Sequence, residues 1–186
     1  MASPFLYFAD DRLSLAELTA ARLDGDVVEL GDAYIPADAV ETRALRAGSL
    51  TGILGETLAA THLTAAWIHG ALPEPPVRHT VQRAVDRRLH RVPVGHLVYR
   101  DLAVHPADLE LIGGVRVTSA VRTLADLARV GDDAHARAAR LLSEDRAGLR
   151  DEAIARLEQA SLPHKRAAIA LLRGLERDDA QDDVTR

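Results

Sequence analysis

The chain has 186 residues, 47% of them hydrophobic, with a formal charge of −5 and no cysteine. That suits one medium domain, or a small module joined to a larger one, with enough apolar material to build a core. Disulfides and thiolate metal sites are excluded, no apolar run reaches the ~18 residues of a membrane span, and Asp10 and Asp11 break any signal-peptide layout, so the expected setting is cytoplasmic.

Ser14 with Glu17 three residues later forms a capping box, which starts a short helix carrying Leu15 and Leu18 and closing at Gly25. Two β-prone runs, Val27-Val28-Glu29-Leu30 and Ala33-Tyr34-Ile35-Pro36, flank Gly31-Asp32 and predict a tight hairpin. Helix then hairpin is the second half of a winged helix-turn-helix, or equally a packing unit. Few residues precede Ser14, so a winged helix here is a truncated one. Residues 37–50 read as a polar connector.

A helix is expected over roughly 53–69, ended by Gly70 and by Pro73, Pro75 and Pro76. Short strands follow at 77–81, 95–99, 109–112 and 115–118, the last two joined by Gly113-Gly114. Thr118 or Ser119 then caps a helix whose Val121, Leu124 and Leu127 recur every three residues. Helices are expected at roughly 132–145, 151–160 and 164–177, and the charged residues 178–186 read as a frayed tail.

Charge is distributed unevenly. Residues 1–50 carry four arginines against nine acids, whereas residues 71–100 carry six arginines against two acids. Only the second stretch has the sign that displaces counterions from phosphate. Arg83, Arg87, Arg88 and Arg91 are the best-charged candidates for nucleic acid, and on a helix 83, 87 and 91 would line one face. A solvated loop paired to the acidic N-terminal module is the competing reading.

Enzymatic signatures are missing. A restriction-type nuclease needs Asp/Glu-x-Lys beside a further acid, but the single lysine, Lys165, sits in Pro163-His164-Lys165-Arg166. A nucleotidyltransferase needs Gly-Ser followed by a metal-binding Asp-x-Asp. Gly48-Ser49 is present, yet Asp24-Gly25-Asp26 precedes it. There is no phosphate-cradling glycine loop and no Gly-x-Ser-x-Gly elbow. His62 and His69 would lie about 10 Å apart along a continuous helix, too far to share a metal. No catalytic residue, metal or cofactor is assigned.

Two phrases remain: His62-Leu63-Thr64-Ala65-Ala66-Trp67-Ile68-His69-Gly70, and Val117-Thr118-Ser119-Ala120-Val121-Arg122-Thr123-Leu124-Ala125-Asp126-Leu127. In the first, Ala65 and Ala66 allow close approach, and Trp67 reads as a core anchor with its N–H bonded. His69 falls at a helix C-terminus, where a protonated imidazole is favoured. In the second, Arg122 and Asp126 can pair at i,i+4, against the macrodipole preference, so the pair serves either as a structural clamp or in ligand or partner recognition.

With the helix ending at Asp24-Gly25 and the phrase Leu30-Gly31-Asp32-Ala33-Tyr34-Ile35-Pro36, these motifs resemble, in order and spacing, the AbiEi family of bacterial antitoxins. The resemblance covers roughly residues 14–128 and, more faintly, the helices to about 177. It implies an α+β protein with a truncated winged-helix-like module at 1–45, then a mixed α/β antitoxin domain with C-terminal helices at 50–177. His62, Thr64, Trp67, His69, Gly70, Thr118, Ser119, Arg122 and Asp126 carry the family motifs, as structural or recognition residues. The implied function is non-catalytic: counteracting a cognate nucleotidyltransferase-type toxin, as a functional partner with direct contact left open, and repressing its own promoter DNA. The usual winged-helix footprint would use Arg12, Thr19 and Arg22, but acids crowd those residues and the wing reads Glu29-Leu30-Gly31-Asp32. Acids facing phosphate cost affinity. A DNA-binding transcriptional regulator without a toxin, or an orphan interaction domain from a nuclease fusion, are the other readings.

Overall fold

The computed structural model describes residues 3–90 and 95–183, with side chains described through residue 175. Ser14 caps α1 (Leu15–Asp24) as expected: its Oγ accepts from the Glu17 N–H at 3.3 Å, and its own N–H donates to Glu17 Oε2 at 2.8 Å. The predicted hairpin follows as β1 (Val27–Leu30) and β2 (Ala33–Pro36), with Leu30 opposite Ala33.

The supposed connector contains a helix, α2 (Arg43–Gly48), capped by the Thr42 hydroxyl. Six residues are too few for a helical period to stand out.

The expected helix over 53–69 is three elements instead: α3 (Thr51–Leu54), β3 (Leu58–Ala60) and α4 (His62–His69). Leu58-Ala59-Ala60 has strong helix propensity, yet it forms a fully buried strand hydrogen-bonded on both sides. Its small side chains suit a strand covered on both faces, and tertiary pairing overrides propensity.

The five-stranded sheet has the order β5-β4-β3-β7-β6. Its strands are β4 (His79–Arg83), β5 (Leu97–Ala103), β6 (Leu109–Ile112) and β7 (Val115–Thr118), with β3 central. β3 and β7 run parallel, as do β4 and β5, while β3–β4 and β6–β7 are antiparallel. β4 begins two residues later than the expected strand, leaving Val77 exposed beside Pro76. Helices α5 (Ala120–Val130), α6 (Asp133–Glu144), α7 (Leu149–Gln159) and α8 (Lys165–Asp183) complete the chain. The last helix runs past the expected end at 177 into the segment read as frayed; residues 184–186 lie outside the described residues.

Two apolar clusters organise these elements. The first joins Leu6, Leu30, Ala33 and Ile35 to Leu45, Leu50, Trp67, Val81, Val115 and Val117, so the hairpin and the sheet share one core. The second is helical and gathers Leu124, Leu127, Leu142, Leu149, Leu157 and Leu172. Helix α4 belongs to both, giving Ala65, Trp67 and Ile68 to the first and Ala66 to the second.

Candidate functional site

The two motifs occupy equivalent places. Helix α4 leaves the end of β3, α5 leaves the end of β7, and these neighbouring strands are parallel. Carboxyl ends of parallel strands are where open α/β sheets gather polar residues for ligands.

The motifs are bonded to one another. His69 Nε2 donates to the Thr118 carbonyl at 2.8 Å, and its Nδ1 accepts from Arg43 Nη2 at 2.7 Å. That pattern requires a neutral ring. Burial holds His69 below its ordinary range; the Thr118 bond opposes this and the Arg43 charge adds to it. The protonated helix-terminal histidine expected from sequence is therefore corrected, and Arg46 serves the helix end instead. Its Nη1 donates to the Trp67 and Leu72 carbonyls at 2.6 and 2.8 Å. Gly70 closes α4 at φ 101°.

Thr64 Oγ1 accepts from the Thr80 N–H at 2.8 Å, fixing α4 to β4. Thr118 and Thr123 join their hydroxyls at 2.8 Å, and Ser119 Oγ caps α5 by accepting from the Arg122 N–H. Trp67 is fully buried as expected, with Arg46 5.6 Å from its ring centroid. Its indole N–H has no acceptor among the described residues, which corrects the expectation that it would be bonded.

Arg122 and Asp126 form the anticipated pair, with Nε 2.7 Å from Oδ2. The pair belongs to a larger network that sequence spacing did not reveal. Arg122 Nη1 also donates to Asp108 Oδ2 at 2.7 Å, Arg156 Nη2 donates to the same oxygen at 2.6 Å, and Arg129 Nη1 reaches Asp126 Oδ1 at 3.1 Å. Both carboxylates are buried. Burial works against the Arg122 charge, but Asp126 and Asp108 more than offset it and the guanidinium holds its proton more tightly than usual.

Beside this network lies a pocket of about 360 Å³, lined by His62, Gln82, Arg100, Arg122, Asp126 and His164 among others. His62 and His164 have φ of 51° and 60°, in the left-handed region that disfavours side chains. Burial pushes His62 down to about 4, with Asp126 opposing and Arg100, His135 and Arg122 reinforcing the shift. Gln82 and Arg100 stand at paired positions of β4 and β5. Sequence reading missed Gln82, Arg100, Arg129, Asp108, Arg156 and His164, because only the sheet register and helix packing bring them together. A larger cleft of about 810 Å³ lies elsewhere, between the N-terminal segment, α2 and the β6–β7 turn. Its lining is largely apolar, including Phe5, Leu6 and Val40, whereas charged and polar side chains line the smaller pocket.

The remaining sequence candidates disperse. Arg83 is in β4, not on a helix; it is buried, with Nε 2.8 Å from Asp101 Oδ1. Arg87 and Arg88 lie in an exposed bend, with Arg88 3.7 Å from Asp101, and Arg91 lies outside the described residues. The helical stripe of arginines is thus corrected: β4 pairs with β5 and turns Arg83 inward. Arg12 lies over the Tyr7 ring, and Arg22 is 3.4 Å from Glu29. No group of three His, Asp or Glu placed to hold a metal occurs among the described residues.

Both motifs fall inside one family match, which runs from the start of β3 into α8: the AbiEi antitoxin C-terminal domain, over residues 58–174. The chain belongs to this AbiEi family. The match begins at the first residue of β3, so the AbiEi unit contains the central strand, both motif helices and the carboxylate–arginine network. No curated protein matches the AbiEi chain. Among solved structures, the RV2827C protein from Mycobacterium tuberculosis is similar with a TM-score of 0.36 and 16% identity, over 84% of this chain and 69% of that one. No helix among the described residues is long and apolar enough to cross a membrane.

Proposed function

We propose that this chain is the non-catalytic antitoxin of an AbiE-type pair and counteracts a nucleotidyltransferase-type toxin. The observation that carries the reading is the AbiEi match across residues 58–174. The network of Asp108, Arg122, Asp126, Arg129 and Arg156 supports it, because both carboxylates are engaged within the protein, as a clamp between the turn that precedes β6 and helices α5 and α7. Asp126 has both oxygens engaged by arginines, which leaves it poorly suited as a general base.

The domain reading stays as proposed from sequence: a reduced winged-helix-like module at 1–45 and an antitoxin domain at 50–177, in a cytoplasmic protein. Repression of its own operon belongs to the same proposal. For DNA, the exposed Arg87 and Arg88 support contact better than Arg12 and Arg22, since residues 71–100 carry six arginines against two acids, whereas Arg22 is already paired with Glu29. Co-expression with a neighbouring nucleotidyltransferase gene tests the antitoxin role. Rescue of growth is expected, and toxicity undiminished by the chain would refute the role.

A further inference from the structure

We infer that the pocket between the β4–β5 edge and α5 binds a small organic phosphate monoester, with Arg100 and Arg129 on the phosphate and Gln82 beside the organic part. The charge balance is the first reason. Three guanidinium groups line the pocket (Arg100, Arg122 and Arg129) against one carboxylate, Asp126, which is already bonded to Arg122 and Arg129. The excess of two positive charges matches a phosphate monoester, which carries about −1.5 to −2 at neutral pH. Arg100 makes no ion pair among the described residues, and its planar fork of donors suits phosphate oxygens.

The second reason is independent of charge. Gln82 is only 2% exposed, lines the pocket, and its Oε1 has no donor among the described residues. A buried amide left unsatisfied costs stability, and a polar ligand can relieve it. Two of the three non-glycine residues of positive φ among the described residues, His62 and His164, line this same pocket. Such backbone strain gathers at ligand sites. The volume of about 360 Å³ exceeds what a bare phosphate fills, and Leu102 and Val130 add apolar wall for an organic group.

The test is thermal-shift and calorimetric titration of the full chain with ribose 5-phosphate, inorganic phosphate and ribose. Ribose 5-phosphate should raise Tm with dose, inorganic phosphate less so, and ribose not at all. Arg100→Gln should weaken ribose 5-phosphate binding about tenfold or more, the loss of one charge-assisted contact. Gln82→Leu should reduce binding of the ester more than that of phosphate. Arg140→Ala should leave binding unchanged, because that exposed arginine on α6 lies outside the pocket. Absence of binding up to about 10 mM, a range that detects even weak complexes, would overturn the assignment. So would equal affinity for phosphate and ester, or an Arg100→Gln protein that keeps its fold and binds as well as the parent. Equal weakening by Arg140→Ala would show a diffuse surface effect and also refute it. None of these outcomes depends on antitoxin activity.

Discussion

His69 Nε2 donates to the Thr118 carbonyl at 2.8 Å, joining residues 49 positions apart and locking the end of α4 to the end of β7. Because Arg43 donates a hydrogen bond to the other ring nitrogen, the imidazole is fixed in one tautomer between two partners. The two family motifs are thus one structural unit, with α4 and α5 held in register by a neutral histidine.

Replacing His69 with alanine leaves the Thr118 carbonyl and the Arg43 guanidinium without this partner and opens a cavity. The expected loss is about 2–4 kcal/mol of stability. Urea unfolding followed by Trp67 fluorescence measures it; a change within error would show that the link is incidental.

Asp108 accepts from both Arg122 and Arg156 while nearly fully buried, so Asp108→Ala strands two guanidinium groups. A loss of about 3–5 kcal/mol is expected. Glu29→Gln breaks only the exposed pair with Arg22 and should cost no more than about 1 kcal/mol. Comparable losses in the two variants would contradict the burial argument.

Acid should destabilise the protein through two histidines. Burial pushes His62 and His79 each down to about 4, His79 with help from the neighbouring His96 charge. Their folded values lie below the ordinary histidine range, so the unfolded chain takes up protons first as pH falls. Their neutral forms therefore cost nothing above about pH 6.5, stability declines between about 6.5 and 4, and the decline then levels off for these two groups. Each contributes on the order of 3 kcal/mol over that window. Unfolding curves at several pH values should show the slope, and His79→Asn should flatten part of it. An unchanged slope in that variant would assign the acid sensitivity elsewhere.

Gly113 has φ 55°, and a Cβ there would sit 2.2 Å from the Ala44 carbonyl oxygen. Gly148 has φ 81° with nothing within 4 Å. Gly148→Ala should cost only about 1–2 kcal/mol, from backbone conformation alone. Gly113→Ala adds a backbone clash and should cost clearly more, also disturbing the packing of α2 on the β6–β7 turn. Melting temperatures of the two variants decide this directly.

If the chain binds promoter DNA, substituting Arg87 and Arg88 by alanine should weaken retention and reduce its salt dependence, as expected when phosphate contacts are lost. Arg12 and Arg22 substitutions should do less, since acids surround them. Loss of binding in the second pair alone would place the interface on α1 and the hairpin.

Local chemistry was legible in the residues themselves. The Ser14–Glu17 capping box, the Leu30–Ala33 hairpin, the Gly113-Gly114 turn, the Ser119 cap of α5 and the Arg122–Asp126 pair each depend on groups a few positions apart, so short-range geometry suffices. Motif order likewise pointed to the AbiEi family, and the match over residues 58–174 bears that out. What depended on distant partners was not legible. Leu58-Ala59-Ala60 is a strand only because β4 and β7 flank it, and Arg83 is buried only because β5 brings Asp101 alongside. His69 is neutral only because Arg43 and Thr118 meet it from two other elements, whereas its place in the helix favoured a charge. Helix dipoles and residue spacing act over a turn or two, whereas burial and charge pairing are set by whichever element packs alongside. That is why Asp108, Arg129 and Arg156, distributed over three elements, became one network only in the folded chain.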